Sequence, residues 1–191
     1  EWFTKHERSG GGPLIDLGVH MLDMALFLLG EPKVLSVSAS LFSEFGPEGR
    51  GYSGPLPPDH GYDVEVLASL YLRLEGGRTL TLEASWASFS RNNDSFGVSL
   101  FGDKGGAELF VNDYADHNTL RLFTEVNGTP AEIQPAPESR QGHVEVMKEL
   151  VQLIQSGDWS SATGQDGLNR ARVIEAAYRS AKEGREVVME G

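Results

Sequence analysis

The chain contains no cysteine. Disulfides, thiolate metal sites and a cysteine nucleophile are therefore excluded, and the composition fits a reducing cytoplasm. Basic clusters are missing too: 16 Lys and Arg are scattered among 28 Asp and Glu, for a net charge of −12. A nucleic-acid backbone needs clustered Lys and Arg, so no nucleic-acid partner is expected. No signal peptide opens the sequence. The longest greasy stretch, Met21–Leu29, is interrupted by Asp23 and falls short of the ~18 residues of a membrane span, so no membrane partner is expected either. The triple glycine is not a phosphate loop: GxGxxG after a strand is absent, and so is GxxxxGKS/T, so no dinucleotide-binding crevice is expected within these residues. The sequence starts at Glu1 rather than methionine, as expected of a piece of a longer protein.

What is present is enough for a packed fold. The 191 residues are 39% hydrophobic and 23% charged, a balance typical of a globular domain. Alternating apolar residues predict strands at Val34–Phe42, Asp63–Leu74 and Thr79–Phe89. Glycine-rich or Asn-Gly turns separate further strands at Phe96–Phe101, Gly106–Val111, Thr119–Glu125 and Ala131–Gln134. A loop is expected over Phe45–Tyr62 and a turn over Arg91–Asp94. Helical spacing predicts helices over Gly142–Ser156, with Val144, Met147, Leu150, Val151 and Ile154 on one face, and over Gln165–Glu183, with Leu168, Ala171, Ile174, Ala177, Tyr178 and Ala181 facing a core. Val187–Met189 reads as a short edge strand. The order is helix, hairpin-linked strands, two helices. That is α+β: a largely antiparallel, open-faced sheet of about six strands with helices packed on one face. The other face, with Ser69, Tyr71, Arg73, Thr81, Glu83 and Ser85, is either solvated or an oligomer interface.

The most informative segment runs from Gly10 to Asp23, GGGPLIDLGVHMLD. Three glycines and a proline lead into a helix that is apolar on nearly every side, and such helices are usually buried. At about 100° per residue, Asp16 and His20 fall one turn apart on one stripe, with Asp23 and Phe27 close to the same line. Histidine moves protons near neutral pH, and a carboxylate one turn away can orient it. Asp23 is placed to hold the ring from the other side. The glycines permit close approach of a ligand to the backbone, and the helix N-terminus offers N–H groups to an oxygen-rich ligand. An Asp–His pair at this spacing is also a common surface ion pair, but the apolar surroundings point to a working site. A metal site built on Asp16, His20 and His143 is disfavoured, because HExxH is absent and the segment supplies one nitrogen ligand. By the same reading Trp86 and Tyr178 are packing residues.

This segment resembles the Gfo/Idh/MocA oxidoreductases. The likeness begins at Trp2-Phe3, runs through Ser9–Asp23 to Leu29-Gly30, and takes in Val34 and Val37. It continues in Asp63-Val64-Glu65-Val66, Gly76–Leu80, Ala84-Ser85-Trp86-Ala87 and Phe101–Gly106, and closes in Ala171–Ala181 before Gly184-Arg185. It implies that residues 1–191 are the C-terminal substrate-binding and oligomerisation domain of a two-domain enzyme, with a fold like the C-terminal domains of dihydrodipicolinate reductase and glyceraldehyde-3-phosphate dehydrogenase. The N-terminal Rossmann domain, absent from this chain, would bind NAD or NADP and supply a catalytic lysine. The resemblance further implies a sugar, inositol or related polyol as substrate. His20 would shuttle the substrate hydroxyl proton during hydride transfer, and Asp16 would bind a substrate hydroxyl and tune His20. Asp23, Trp2, Lys5, Gly11 and Gly12 are the expected further substrate contacts. A homo-oligomer through the open sheet face is expected, as is inactivity of this piece alone. The competing readings are an NAD-dependent glycoside hydrolase of the same family and a non-enzymatic interaction module built on the open sheet.

Overall fold

A computed structural model describes residues 2–46, 61–90, 94–115, 117–135, 142–160 and 163–189. The fold is α+β with antiparallel sheets. In chain order the described elements are α1 (His6–Ser9), a π-helical turn (Leu14–Gly18), α2 (Val19–Leu28), β1 (Val34–Phe42), β2 (Leu67–Leu74), β3 (Thr79–Ser85), β4 (Ser95–Gly102), β5 (Gly105–Asn112), β6 (Leu120–Val126), β7 (Thr129–Ile133), α3 (Gly142–Ser156), α4 (Gln165–Glu183) and β8 (Val187–Val188). The count exceeds the expected six strands. Among the described residues eight strands form two four-stranded sheets, ordered β3-β2-β1-β8 and β4-β5-β6-β7. The chain divides accordingly into one compact unit of residues 1–90 and 167–191 and another of residues 91–166.

The first unit follows the alternation of its strands. Ala68, Leu70, Leu72 and Leu74 of β2 are buried, and β3 adds Leu82 and Ala84. Their neighbours Tyr71, Arg73, Thr81 and Glu83 are exposed. The register pairs Leu70 with Ala39 and Leu82, and Leu72 with Val37 and Leu80, so one face of the sheet is continuously apolar. Leu14, Leu22 and Leu26 from the helical segment and Val173, Ile174 and Ala177 from α4 cover that face. Each large aliphatic side chain so removed from water contributes on the order of 2 kcal/mol.

The second unit is a meander. Its strands pair antiparallel in sequence order, and Asn127 and Gly128 close the β6–β7 hairpin with positive φ values of 52° and 77°, the geometry an Asn-Gly turn favours. The apolar stripe on α3 is formed, yet α3 has no buried residue.

One expectation about the helices needs correction. On α4, Leu168 and Ala171 are exposed, and the buried face is Arg170, Val173, Ile174, Ala176, Ala177 and Ser180. The segment His6–Leu28, 23 residues with mean hydropathy 1.3, is by length and composition alone apolar enough to cross a membrane. Packing identifies it as a core element instead: Leu14, Leu22, Ala25 and Leu26 are all buried in the first unit. The loop expected over 45–62 and the turn over 91–94 lie mostly outside the described residues.

Candidate active site

The N-terminal segment is pinned at its start by one buried carboxylate. Glu65, which lies just before β2, is 6% exposed. Its Oε2 accepts from the Gly12 N–H at 2.9 Å and its Oε1 from the Leu14 N–H at 3.1 Å. The same Oε1 accepts from the Tyr178 hydroxyl of α4 at 2.9 Å. A buried charge needs such partners, and the orphan N–H groups at a helix start supply them. Burial, and next the Glu65 carboxylate, push the Tyr178 hydroxyl far above the ordinary tyrosine range, which keeps it a donor.

This arrangement corrects the roles expected of the glycines. The Gly12 and Leu14 N–H groups are spent on Glu65 and are not open to a ligand. A Cβ on Gly11 would sit 1.9 Å from the Tyr178 hydroxyl, and one on Gly12 would sit 2.2 Å from the Glu65 backbone oxygen. Gly11 and Gly12 are buried, and the absence of a Cβ leaves room for the Tyr178 side chain and the Glu65 backbone. Glu65 and Tyr178 were not singled out as a pair in the sequence. The signal was there in the acidic residue within an otherwise apolar run, Val64-Glu65-Val66.

The turn that carries Asp16 is π-helical. Closing a turn i→i+5 rotates each residue by less than the ~100° of an α-helix, and the α-helical stripe does not survive intact. Among the described residues Asp16 and His20 share no hydrogen bond or ion pair. Asp16 is half-buried and its Oδ2 accepts from the Trp86 indole N–H at 2.9 Å. Its Oδ1 has no partner among the described residues. His20 is exposed, without a hydrogen-bond partner among the described residues. Trp86 is therefore more than core packing: it rests against Tyr62, Val64, Val66 and Ala87 while its N–H holds Asp16.

Asp23 is engaged by Arg170 and shares no hydrogen bond or ion pair with His20 among the described residues. Its Oδ1 accepts from Arg170 Nε at 2.9 Å, and Arg170 Nη2 reaches Glu31 Oε1 at 2.6 Å. The Arg170 side chain is 4% exposed. Its charge is favoured chiefly by the hydrogen bond to Glu31, which outweighs the cost of burial. Asp23 thus ties α2 to α4 instead of holding the ring.

The helical segment is not buried on all sides, contrary to expectation. Ile15 is 39% exposed, Leu17 44%, Phe27 71% and Leu28 46%. Trp2 and Phe3 are exposed as well, and their rings meet edge to face with centroids 4.4 Å apart. Phe3 in turn lies 5.7 Å from the Trp86 ring. Lys5 precedes α1, with its ammonium free of partners among the described residues, and the His6 N–H donates to Asp63 Oδ1 at 2.6 Å. Of the candidate site residues, Trp2, His20 and Asp23 are exposed, Asp16 is half-buried, and Gly11 and Gly12 are buried. The large groove of the first unit, about 1090 Å³, lies elsewhere, beside Ser38, Ser40, Tyr71, Glu83 and Arg185.

A family model described as "Oxidoreductase family, C-terminal alpha/beta domain", that of the Gfo/Idh/MocA proteins, matches residues 1–189. The chain belongs to the Gfo/Idh/MocA oxidoreductase family. Among curated Gfo/Idh/MocA relatives, D-glucoside 3-dehydrogenase of Escherichia coli K12 is 34% identical over 97% of this chain and 51% of its own length. scyllo-Inositol 2-dehydrogenase (NADP(+)) IolW of Bacillus subtilis is 23% identical over 99% of this chain and 52% of its own length. The crystal structure of aldose-aldose oxidoreductase from Caulobacter crescentus complexed with glycerol superposes with a TM-score of 0.72 at 26% identity, covering 99% of this chain and 51% of that one. The chain spans about half the length of the curated relatives it matches.

Proposed function

We propose that this chain is the substrate-binding and catalytic half of an NAD(P)-dependent oxidoreductase acting on a sugar, inositol or related polyol in the cytoplasm. The observation that carries the reading is the family match over residues 1–189, and the residues it points to are an exposed His20 and, four positions earlier, an Asp16 whose Oδ2 is held by Trp86 and whose Oδ1 is free among the described residues. An interaction module would be favoured by Asp16 and His20 sealed in the core with no cleft opening on them; Asp16 is half-buried and His20 exposed.

The residues present suit one part of the cofactor and not another. A pyrophosphate wants free backbone N–H groups at a helix start, and those of Gly12 and Leu14 are taken by Glu65. The dinucleotide body therefore belongs to the rest of the parent protein. A nicotinamide ring suits an apolar exposed surface, such as Ile15 and Leu17 on either side of Asp16 in the chain. When bound, the cofactor accepts or gives the hydride. His20 takes the proton from the substrate hydroxyl as the carbonyl forms, or returns it in reverse. Asp16 accepts a hydrogen bond from a substrate hydroxyl through Oδ1, and its fixed Oδ2 limits the orientations available to the carboxylate. Lys5 and Trp2 are further substrate contacts in this reading. The parent assembles as a homo-oligomer through the open face of the β1–β3 sheet, and the present piece alone transfers no hydride.

The test is His20→Ala in the full-length parent. Turnover should fall by about 10²–10⁴-fold, the usual worth of a positioned acid–base group. Unchanged turnover on the parent's own substrate would remove His20 from the mechanism.

A further inference from the structure

We propose that Trp86 is a positioning residue for the Asp16 carboxylate, held in place with it by a closed circuit of hydrogen bonds. The inference rests on the functional reading of Asp16 above and adds a group that acts through Asp16. The circuit starts at Glu65, whose Oε2 accepts from the Gly12 N–H at 2.9 Å. The Gly12 carbonyl accepts from the Asp16 N–H at 3.2 Å. Asp16 Oδ2 accepts from the Trp86 indole N–H at 2.9 Å. The Trp86 backbone N–H donates to the Val66 carbonyl at 3.1 Å, and Val66 follows Glu65 in the chain. The lead-in to β2 thus fixes Asp16 twice, once through its backbone and once through its carboxylate.

A carboxylate on a free side chain turns about its terminal torsion, which is broad and nearly twofold. Either oxygen then presents itself to a substrate hydroxyl. A bond to Oδ2 fixes that torsion and leaves Oδ1 as the acceptor. An indole suits the task. Its N–H is a donor only, so it cannot exchange roles with a hydroxyl as Ser, Thr or Tyr would. Its ring packs against Tyr62, Val64, Val66 and Ala87, all buried, which sets the direction of the N–H. The Ser85 hydroxyl accepts from the Ala87 N–H at 3.1 Å and so ties the backbone on either side of Trp86. All of these contacts are internal to the first unit. A half-buried indole N–H also takes an acceptor for its own sake, and a bond of that kind alone would stabilise the fold without changing turnover.

The experiment uses the full-length parent with Trp86→Phe, Asp16→Ala, the two combined, and Trp86→benzothienylalanine, which keeps the indole shape with sulfur in place of the N–H. Turnover of methyl β-D-glucopyranoside and scyllo-inositol is followed by cofactor absorbance, folding by thermal unfolding, and the indole N–H by NMR of isotope-labelled tryptophan. Trp86→Phe and the sulfur isostere should each lower kcat about tenfold or more, since misplacing an orienting group is costly, with KM within about threefold. On the Asp16→Ala background Trp86→Phe should cost no more than about twofold further, because no carboxylate is left to orient. The Trp86 indole signal, assigned by its loss in Trp86→Phe, should shift in Asp16→Ala. Wild-type kcat in the isostere, losses that multiply in the double variant, or an unfolding temperature that drops while kcat holds would overturn positioning and leave Trp86 to packing. Full activity in Asp16→Ala would remove Asp16 from the reaction, and the functional reading of that residue with it. A loss in Asp16→Ala beside wild-type turnover in Trp86→Phe would keep that reading and overturn only the role of Trp86.

Discussion

The Tyr178 hydroxyl donates to Glu65 Oε1 at 2.9 Å, joining residues 113 positions apart in the chain. Through Glu65 this one contact links α4 to the backbone of Gly12 and Leu14, where the segment bearing Asp16 and His20 begins. Two residues outside the expected site thus set where that site starts.

The Tyr178 hydroxyl lies above its ordinary value of 10.0 because it is buried and faces a carboxylate. A group whose folded pKa is raised contributes its full stability below the unfolded pKa and loses it as pH rises toward the folded one. Tyr178→Phe should therefore cost about 1–2 kcal/mol at neutral pH. The stability gap to the wild type should close above about pH 10. Urea unfolding across that range checks it. A gap that stays constant through the alkaline limb would show that the hydroxyl is not linked to folding.

The two buried glycines should differ in tolerance. Gly12→Ala drives a Cβ into the Glu65 backbone oxygen at 2.2 Å, and backbone cannot swing aside. Gly11→Ala meets the Tyr178 side chain at 1.9 Å, which can rotate or lose its hydroxyl. Gly12→Ala should cost at least about 3 kcal/mol and Gly11→Ala roughly 1–3. Gly11→Ala should also cost less when combined with Tyr178→Phe, a coupling of about 0.5 kcal/mol or more in a double-mutant cycle. Additive costs would mean that the hydroxyl does not set the fit.

Arg170→Met should destabilise by about 1–3 kcal/mol, because it removes a buried guanidinium shared by Asp23 and Glu31. Asp23→Asn should cost less than about 1 kcal/mol, since Asp23 is 64% exposed and Glu31 still holds the arginine. In the full-length parent Asp23→Asn should leave kcat and KM within about twofold. A large loss of turnover would return Asp23 to the site.

Much of the architecture is legible in the pattern of residues. Period-two alternation places β1 at Val34–Phe42, as found, and helical spacing with terminal glycines places α3 and α4 at their observed bounds. The candidate site was legible in type but not in partners. The Asp16–His20 stripe assumes α-helical rotation, and the observed π-turn alters it. Asp23 shows the same limit. Its partner Arg170 is 147 residues away, and no local spacing announces it. Trp86 reads as packing because nothing in its strand reveals that its N–H meets Asp16 70 residues earlier.

The amino-acid order alone determined the α+β class, most strand bounds and the small set of polar residues on an apolar helix. These follow from local rules: turn chemistry, periodicity and composition act between neighbours in the chain. Tertiary structure alone decided which polar residues are free. Long-range hydrogen bonding committed Gly12 and Leu14 to Glu65, Asp23 to Arg170, and one oxygen of Asp16 to Trp86. A buried or half-buried polar group takes whatever partner the fold brings within about 3 Å, and that partner is set by packing between distant segments.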